Sequence, residues 1–172
     1  RRMTYGTHML GGAVVGVVVL SITGVEQNVA PLILGSAIMG SLLPDIDHTQ
    51  SKISRSNAGT SILSSFVGLL TKHRGIIHTP LFMLILAIAA VSAIIAIPMQ
   101  FKADAIQITL GILAGFFSHL LLDTLNPGGI MWLYPISKKH FHIAQIKTGK
   151  LGEVLVAGCM VLILALFFTQ YF

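Results

Sequence analysis

A histidine and an aspartate, His119 and Asp123, stand four residues apart inside an apolar segment long enough to be a membrane helix. This spacing puts both side chains on one helical face, where they could bind one metal ion. Ionisable side chains within a membrane span are costly and usually face the interior of a helix bundle. Asp123 also lies near a helix C-terminus, where the helix dipole disfavours negative charge. A divalent cation would offset both costs better than a hydrogen-bonded His–Asp pair, so the pattern predicts a metal site.

Two other segments carry the same residue types at predicted helix ends. Residues 44–48 read Pro-Asp-Ile-Asp-His, and because proline ends the preceding helix, the two carboxylates and the imidazole can turn over the mouth of the bundle. Residues 73–78 read His-Arg-Gly-Ile-Ile-His, directly before a predicted helix start. His78 is therefore the better-positioned ligand. His73 is open to three interpretations: a ligand, a proton donor or a solvated residue.

Nitrogen and oxygen ligands without thiolate suit zinc first, with manganese and iron as alternatives. The candidates outnumber the four ligands of a typical zinc site, which predicts either two ions or one ion with acid–base residues beside it. A metal in an open site turns bound water into a nucleophile. Basic residues beside these patterns could neutralise an anionic group such as a phosphate, namely Arg55, Lys72 and Arg74.

Composition identifies the elements that must position these residues. The chain has 172 residues, of which 54% are hydrophobic and 10% charged, with a mean hydropathy of +0.85. Soluble domains carry about 25% charged residues. We therefore predict an all-α fold, a polytopic membrane helix bundle formed by residues 1–172 as a single membrane domain. Cys159, the one cysteine, lies in an apolar run and is expected to be a small buried thiol.

About five transmembrane helices are predicted. They cover Met9–Val25, Val29–Leu43, Pro80–Pro98, Ala105–Leu125 and Val154–Phe172. Thr79 is the predicted N-cap of the third span, with Pro80 at its first position, and Asp104 is the predicted N-cap of the fourth. Thr60–Thr71 has apolar residues at helical spacing but is too short to span, which predicts an interfacial helix or a helix packed over the bundle mouth.

Charge distribution predicts the orientation of the bundle. With five spans, ten of the eleven basic residues fall on one side and only Lys102 on the other, so we predict an inner-membrane protein with a cytoplasmic N-terminus and an outside C-terminus. The formal charge of +5 then reports topology and contact with anionic membrane lipid. No nucleic-acid partner is expected, because no basic patch interleaved with aromatic residues is present. All seven histidines fall on the cytoplasmic side, with His140 and His142 as loop residues.

Four motifs together resemble the YdjM-type predicted membrane-bound metal-dependent hydrolases. They are Thr7-His8, Leu43-Pro44-Asp45-Ile46-Asp47-His48, His73-Arg74-Gly75-Ile76-Ile77-His78-Thr79, and the run from Ser118-His119 through Asp123 to Asn126-Pro127-Gly128-Gly129, followed by Glu153. The resemblance covers nearly the whole chain. It implies a divalent-metal site and a distant kinship with zinc-dependent phospholipase C and P1-type nucleases. By that resemblance His8, Asp45, His78, His119 and Asp123 would be metal ligands, with Asp47, His48, His73 and Glu153 as second-rank candidates.

The leading hypothesis is a metal-dependent hydrolase with a cytoplasm-facing site, acting on a phosphoester such as a lipid headgroup. Its metal ligands are drawn from His8, Asp45, His48, His78, His119 and Asp123. Its catalytic residues are drawn from Asp47 or Glu153 as general base, His73 as proton donor and Arg74 as the group that orients the phosphate. The alternative is a metal-binding or metal-transporting membrane protein without catalysis. An intramembrane metalloprotease is disfavoured because the chain has no H-E-x-x-H motif.

Overall fold

The structure is a computed structural model that describes residues 3–25, 27–45 and 74–171. Within these ranges the chain forms six α-helices: α1 (Tyr5–Thr23), α2 (Ala30–Leu42), α3 (Arg74–Ile77), α4 (Pro80–Ala96), α5 (Met99–Thr124) and α6 (Leu151–Tyr171). Short 3₁₀ turns flank α2 at Gln27–Val29 and Leu43–Asp45. The prediction of an all-helical fold is confirmed. The predicted helix Thr60–Thr71 lies outside the described residues, as do Asp47, His48, His73 and the side chain of Arg74.

Three of these helices are long and apolar enough to cross a membrane, over Tyr5–Thr23, Met99–Thr124 and Leu151–Thr169. Two shorter apolar helices accompany them, over Ala30–Asp45 and Pro80–Ala96. The five predicted apolar segments therefore all appear as helices, but two of them fall short of the length that spans a bilayer at ordinary thickness.

Helix boundaries follow the capping chemistry of the sequence, with one correction. Thr79 caps α4 as predicted, because its Oγ1 accepts a hydrogen bond from the backbone N–H of Phe82 at 3.3 Å. Helix α1 ends at Thr23, two residues before the predicted end, and Gly24 caps it in the left-handed conformation at φ 58°. The prediction that Asp104 caps the next span was wrong: α5 begins at Met99, directly after Pro98, and Asp104 lies within the helix. Pro98 precedes the first helical residue with a φ of −54°, a value that suits a helix start. The helix therefore begins directly after Pro98, five residues before Asp104.

Helices α1, α2 and α5 form the centre of the bundle, and glycines set their separation. A Cβ atom at Gly12 of α1 would lie 2.8 Å from the carbonyl oxygen of Ala37 in α2. Gly115 of α5 faces the same carbonyl even more closely. Since lipid is as apolar as the bundle interior, helix association in membranes depends on such close approach of small residues. The core around these contacts includes the fully buried Ile33 and Phe116.

The outer helices present mostly apolar side chains to the surroundings. Helix α4 packs against α5 and has no buried residue, while α6 packs against α1 and buries only Glu153 and Met160 among its described side chains. Cys159 of α6 is exposed, so the prediction of a buried thiol was wrong. An apolar run in a membrane helix does not distinguish a lipid-facing position from a buried one, because both favour apolar residues.

Candidate metal centre

Helix α5 supplies the pair predicted from spacing, and the helix brings the two side chains together. Nε2 of His119 lies 3.4 Å from Oδ2 of Asp123, and both residues are buried. Two groups from outside the pair hold it in place. The imidazole Nδ1 of His119 lies 2.7 Å from the backbone carbonyl oxygen of Ser41, and the amide Nδ2 of Asn126 donates to Oδ1 of Asp123 at 3.0 Å. Because a carbonyl only accepts, Nδ1 carries the proton and the lone pair of His119 resides on Nε2.

Helix α1 adds His8, which is fully buried. The sequence placed this residue just before the first span; the structure has it inside α1, near its N-terminal end. Its imidazole stacks on that of His119 with ring centroids 3.9 Å apart, and its Nε2 lies 3.7 Å from Oδ1 of Asp123. Thus two distant helices place their imidazoles face to face beside one carboxylate.

A second His–Asp contact joins two helix ends that are far apart in sequence. Asp45 closes the 3₁₀ turn that follows α2, directly after Pro44, and its side chain turns inward as the proline predicted. His78 precedes the capping residue of α4. Nε2 of His78 lies 3.3 Å from Oδ1 of Asp45, and both side chains are buried. The ring centroid of His78 is 5.2 Å from that of His119, so the two His–Asp contacts form one cluster.

This cluster of five residues, His8, Asp45, His78, His119 and Asp123, contains two groups that could hold a metal ion. One consists of His8, His119 and Asp123, and the other of Asp45, His78 and His119; within each, the ligand atoms lie within 4.8 Å of one another. Atoms bound to one tetrahedral zinc ion at about 2.0–2.2 Å lie roughly 3.3–3.6 Å apart. The three His–Asp separations, 3.3, 3.4 and 3.7 Å, are close to this range.

Buried nitrogen atoms in the cluster test whether a metal fits. Among the described residues, both ring nitrogens of His8 and Nε2 of His119 are buried and have no hydrogen-bond partner. A buried polar atom without a partner costs about 1–3 kcal/mol, so such atoms are rare unless a ligand completes them. The residues present therefore fit a divalent metal bound through imidazole nitrogen and carboxylate oxygen.

Glu153, predicted as a possible general base, has a different environment. Its Oε1 accepts hydrogen bonds from the backbone N–H of Thr4 at 2.6 Å and from Oγ1 of Thr7 at 2.7 Å. Its Oε2 accepts from the backbone N–H of Gly149 at 2.6 Å. The carboxylate thus ties the start of α6 to the start of α1, and it belongs to neither metal-binding group. His140 and His142 are exposed loop residues, as predicted.

Two positioning groups were missed by sequence reasoning. Asn126 lies three residues after Asp123 at the helix end, so a polar residue at that spacing was an available signal. The carbonyl oxygen of Ser41 carries no signal, because every residue has one and only helix packing selects it. Asp47, His48, His73 and the Arg74 side chain lie outside the described part of the chain.

Comparison with known proteins shows which sequences this chain resembles. The model of a family described as YdjM inner membrane protein matches residues 3–172. The chain is 33% identical over 170 residues to the protein YvsG of Bacillus subtilis, covering 99% of this chain and 97% of YvsG. It is 34% identical over 107 residues to the inner membrane protein YdjM of Escherichia coli, covering 60% of this chain and 49% of that protein. The same figures hold for YdjM of Shigella flexneri, and no solved structure matches the chain.

Proposed function

The chain belongs to the YdjM family of inner membrane proteins, and from this premise we propose that it is a membrane-embedded metal-dependent hydrolase acting on a phosphoester. The observation that carries the proposal is the convergence of three buried imidazoles and two buried carboxylates from four separate stretches of chain. Buried ionisable groups in a membrane protein usually serve a function, because their burial is costly.

Charge supports a divalent ion at the five-residue cluster. Asp45 and Asp123 together contribute two negative charges when ionised. The other three residues of the cluster are histidines, so no lysine or arginine of the cluster offsets these charges. A divalent cation would cancel these charges, leaving a neutral centre inside the bundle. Buried charges that are paired or bound to metal avoid most of the penalty that isolated ones incur. Zinc is the first candidate for this nitrogen and oxygen set, with manganese or iron as alternatives.

We propose one ion within this cluster rather than two. His119 is shared by both possible groups, and its Nδ1 is committed to the carbonyl of Ser41. Only Nε2 remains, and one imidazole nitrogen has one lone pair and binds one ion. The two groups are therefore overlapping parts of a single site. Elemental analysis of the purified protein is expected to give one divalent ion per chain, and two per chain would contradict the single-ion centre.

The position of the cluster suggests the substrate class. His8 lies in the first turns of α1, Asp123 in the last turn of α5 and His78 just before α4, so the cluster is at one end of the bundle. The ends of membrane helices lie at the level of lipid headgroups. A bound divalent metal would supply a nucleophilic water there. A phosphoester such as a lipid headgroup is therefore the proposed substrate, with Arg74 to orient the phosphate.

Within this proposal the chain's own residues have distinct tasks. His8, Asp45, His78, His119 and Asp123 would hold the ion, with His48 as a further ligand candidate. Asn126 and the Ser41 carbonyl would orient Asp123 and His119. Asp47 would act as general base and His73 as proton donor. Glu153 would serve to join two helix ends, because three donors already engage its carboxylate.

The test compares two aspartates of the same helix. Asp123→Asn removes a ligand, whereas Asp104→Asn alters an exposed residue near the opposite end of α5. Metal-loaded wild-type protein in mixed micelles would be screened against aryl phosphate mono- and diesters and phospholipids. We expect Asp123→Asn to lose both turnover and bound metal, and Asp104→Asn to retain both. Hydrolysis of no phosphoester by the loaded wild type, or full activity of Asp123→Asn, would contradict the proposal.

A second candidate function is metal binding or transport without catalysis. The observation that favours it is the number of ligands: five candidate residues could saturate an ion, whereas catalytic zinc sites keep one position open. Metal uptake by proteoliposomes distinguishes the two functions. Metal-dependent flux without any hydrolysis would favour transport. Phosphoester hydrolysis without metal flux into the vesicles would favour the hydrolase.

We also propose that the metal centre faces the cytoplasm, with the N-terminus inside and the C-terminus outside. The support is the predicted distribution of basic residues, ten against one. The test uses a Cys159→Ser background with a new cysteine at Lys138, between α5 and α6. An impermeant thiol reagent is expected to label this position only in permeabilised cells. Labelling of intact spheroplasts would invert the orientation.

A further inference from the structure

The connection between α5 and α6, residues 126–150, is a basic surface. It carries four exposed lysines, Lys138, Lys139, Lys147 and Lys150, and the sequence of this connection contains no aspartate or glutamate. Because no acid of the connection neutralises them, these lysines present a net positive charge of four on one short segment. None of them belongs to the proposed metal centre.

Backbone hydrogen bonds hold this connection against the end of α5. The N–H groups of Ile143 and Ile146 donate to the carbonyls of Thr124 and Leu125, both at 3.0 Å. Ile130 and Phe141 form an antiparallel bridge with hydrogen bonds of 3.1 and 2.9 Å. The connection therefore folds back on the helix end and does not extend away from the bundle, so its lysines are held near the plane where α5 leaves the membrane.

The same connection also exposes large apolar side chains. Ile136 is 93% exposed and Ile143 is 81% exposed, although neither lies in a helix. Large apolar residues next to lysines are typical of segments that enter the headgroup layer, with the apolar groups toward the acyl chains and the ammonium groups at the phosphates. An acidic protein or a nucleic acid would satisfy the lysines but leave these isoleucines in water.

We propose that residues 126–150 form a binding surface for anionic phospholipid in the leaflet at the metal-centre end of the bundle. The lysines contact lipid phosphates, and Ile136 and Ile143 insert beside them. The two flanking helices, α5 and α6, are both candidate membrane spans, so the connection lies at the bilayer surface whichever side it faces. The lysines and isoleucines of this surface are separate from the proposed metal centre, since none of them belongs to the five-residue cluster.

The chain contains a built-in reporter for this surface. Trp132 is the one tryptophan of the protein, and its indole Nε1 donates to Oγ1 of Thr124 at 2.9 Å, which fixes it within the connection. Full-length protein would be reconstituted into phosphatidylcholine bilayers that contain a fixed fraction of brominated lipid. The brominated lipid is either phosphatidylglycerol or phosphatidylcholine, labelled at the same acyl positions. Quenching of Trp132 then measures which lipid is enriched next to the connection.

We expect brominated phosphatidylglycerol to be enriched about fivefold over brominated phosphatidylcholine, since one basic residue near the surface contributes about 1 kcal/mol to anionic lipid binding. The enrichment should fall in high salt, because exposed charges are screened. It should also be lost when the four lysines are replaced by glutamine together. Lys102→Gln is the matched control: Lys102 lies near the opposite end of α5, and its replacement should leave the enrichment unchanged.

Two results would overturn the proposal. Equal quenching by the two brominated lipids would mean that the lysines do not select anionic lipid. The absence of quenching by either lipid would mean that the connection does not reach the bilayer. If the variant with all four lysines replaced by glutamine does not fold, the salt dependence of the wild-type enrichment provides the same test. An enrichment that high salt leaves unchanged would then overturn the proposal.

Discussion

Replacing Gly12 by alanine is expected to weaken metal binding although Gly12 is not a ligand. Gly12 lies four residues after His8 on the same face of α1, and it packs against α2 at the level of Ser41. A Cβ atom there would be 2.7 Å from Oγ of Ser41, 2.8 Å from the carbonyl oxygen of Ala37 and 2.9 Å from Cα of Ile38. Two of these three atoms belong to the backbone and cannot rotate away.

The size of the effect follows from these distances. Ordinary contacts of a Cβ begin at 3.4 Å, so α1 and α2 must separate by about 0.6 Å at this point. Metal–ligand distances are expected within about 0.2 Å of their ideal values. The separation would move His8 away from Asp123 and would also shift the Ser41 carbonyl that orients His119. Because loss of such supporting contacts costs about 10–100-fold in metal affinity, we expect a reduction of that order. Overpacking should also lower stability by about 1–3 kcal/mol.

Two other glycines of α1 make the experiment a graded series. A Cβ at Gly6 would have no atom within 4 Å, so Gly6→Ala should bind metal like the wild type. A Cβ at Gly16 would lie 3.1 Å from Cδ2 of Leu34 and 3.2 Å from Cβ of Ala37, which predicts an intermediate loss. Zinc affinity would be measured in detergent by competition with a chromophoric chelator, alongside thermal unfolding.

The order of affinities, Gly6→Ala above Gly16→Ala above Gly12→Ala, is the expected result. A folded Gly12→Ala protein with wild-type affinity would refute the reasoning that helix separation sets the geometry of the cluster. If Gly12→Ala does not fold, the comparison of Gly16→Ala with Gly6→Ala decides the question, because the clash at Gly16 is mild enough for the protein to fold.

Three further outcomes follow from the same contacts. Asn126→Ala removes the donor to Oδ1 of Asp123 and should lower zinc affinity by about tenfold, measured by the same competition; an unchanged affinity would mean that Asn126 does not orient the ligand. Glu153→Gln leaves an amide facing the donors of Thr4, Thr7 or Gly149 and should lower stability by about 1–3 kcal/mol with metal affinity retained; loss of metal instead would return Glu153 to the site. Acidification should release the metal with uptake of protons, because histidine binds metal only when neutral; a pH-independent affinity would argue against imidazole ligands.

Much of the architecture was available from composition and local chemistry. The scarcity of charge predicted membrane helices, and apolar length located five segments that are all helical, three of them long enough to cross a membrane. Proline and threonine predicted the start of α4, and the spacing of His119 and Asp123 predicted their shared face, which their 3.4 Å contact confirms. These features are local: capping involves the first turn of a helix, and a spacing of four residues stays on one face whatever surrounds it.

Other features depended on tertiary structure. In a membrane helix the lipid-facing side is as apolar as the buried side, so the sequence contains little periodic signal to show which face turns inward. This is why the exposure of Cys159 was predicted wrongly and why the environment of Glu153 was not anticipated. The start of α5 was also predicted wrongly. Asp104 is a residue type that often caps helices, but the helix begins earlier, directly after Pro98.

Composition and residue spacing were enough to predict a membrane helix bundle with histidines and aspartates at helix ends. The packing of the helices was needed to bring His8, Asp45 and His78 to the His119–Asp123 pair, and to place the backbone carbonyl of α2 that fixes the tautomer of His119. These groups are far apart along the chain. Contacts between residues tens of positions apart depend on how closely helices approach and on which faces they present. In this bundle, glycine-to-backbone contacts between α1, α2 and α5 set both.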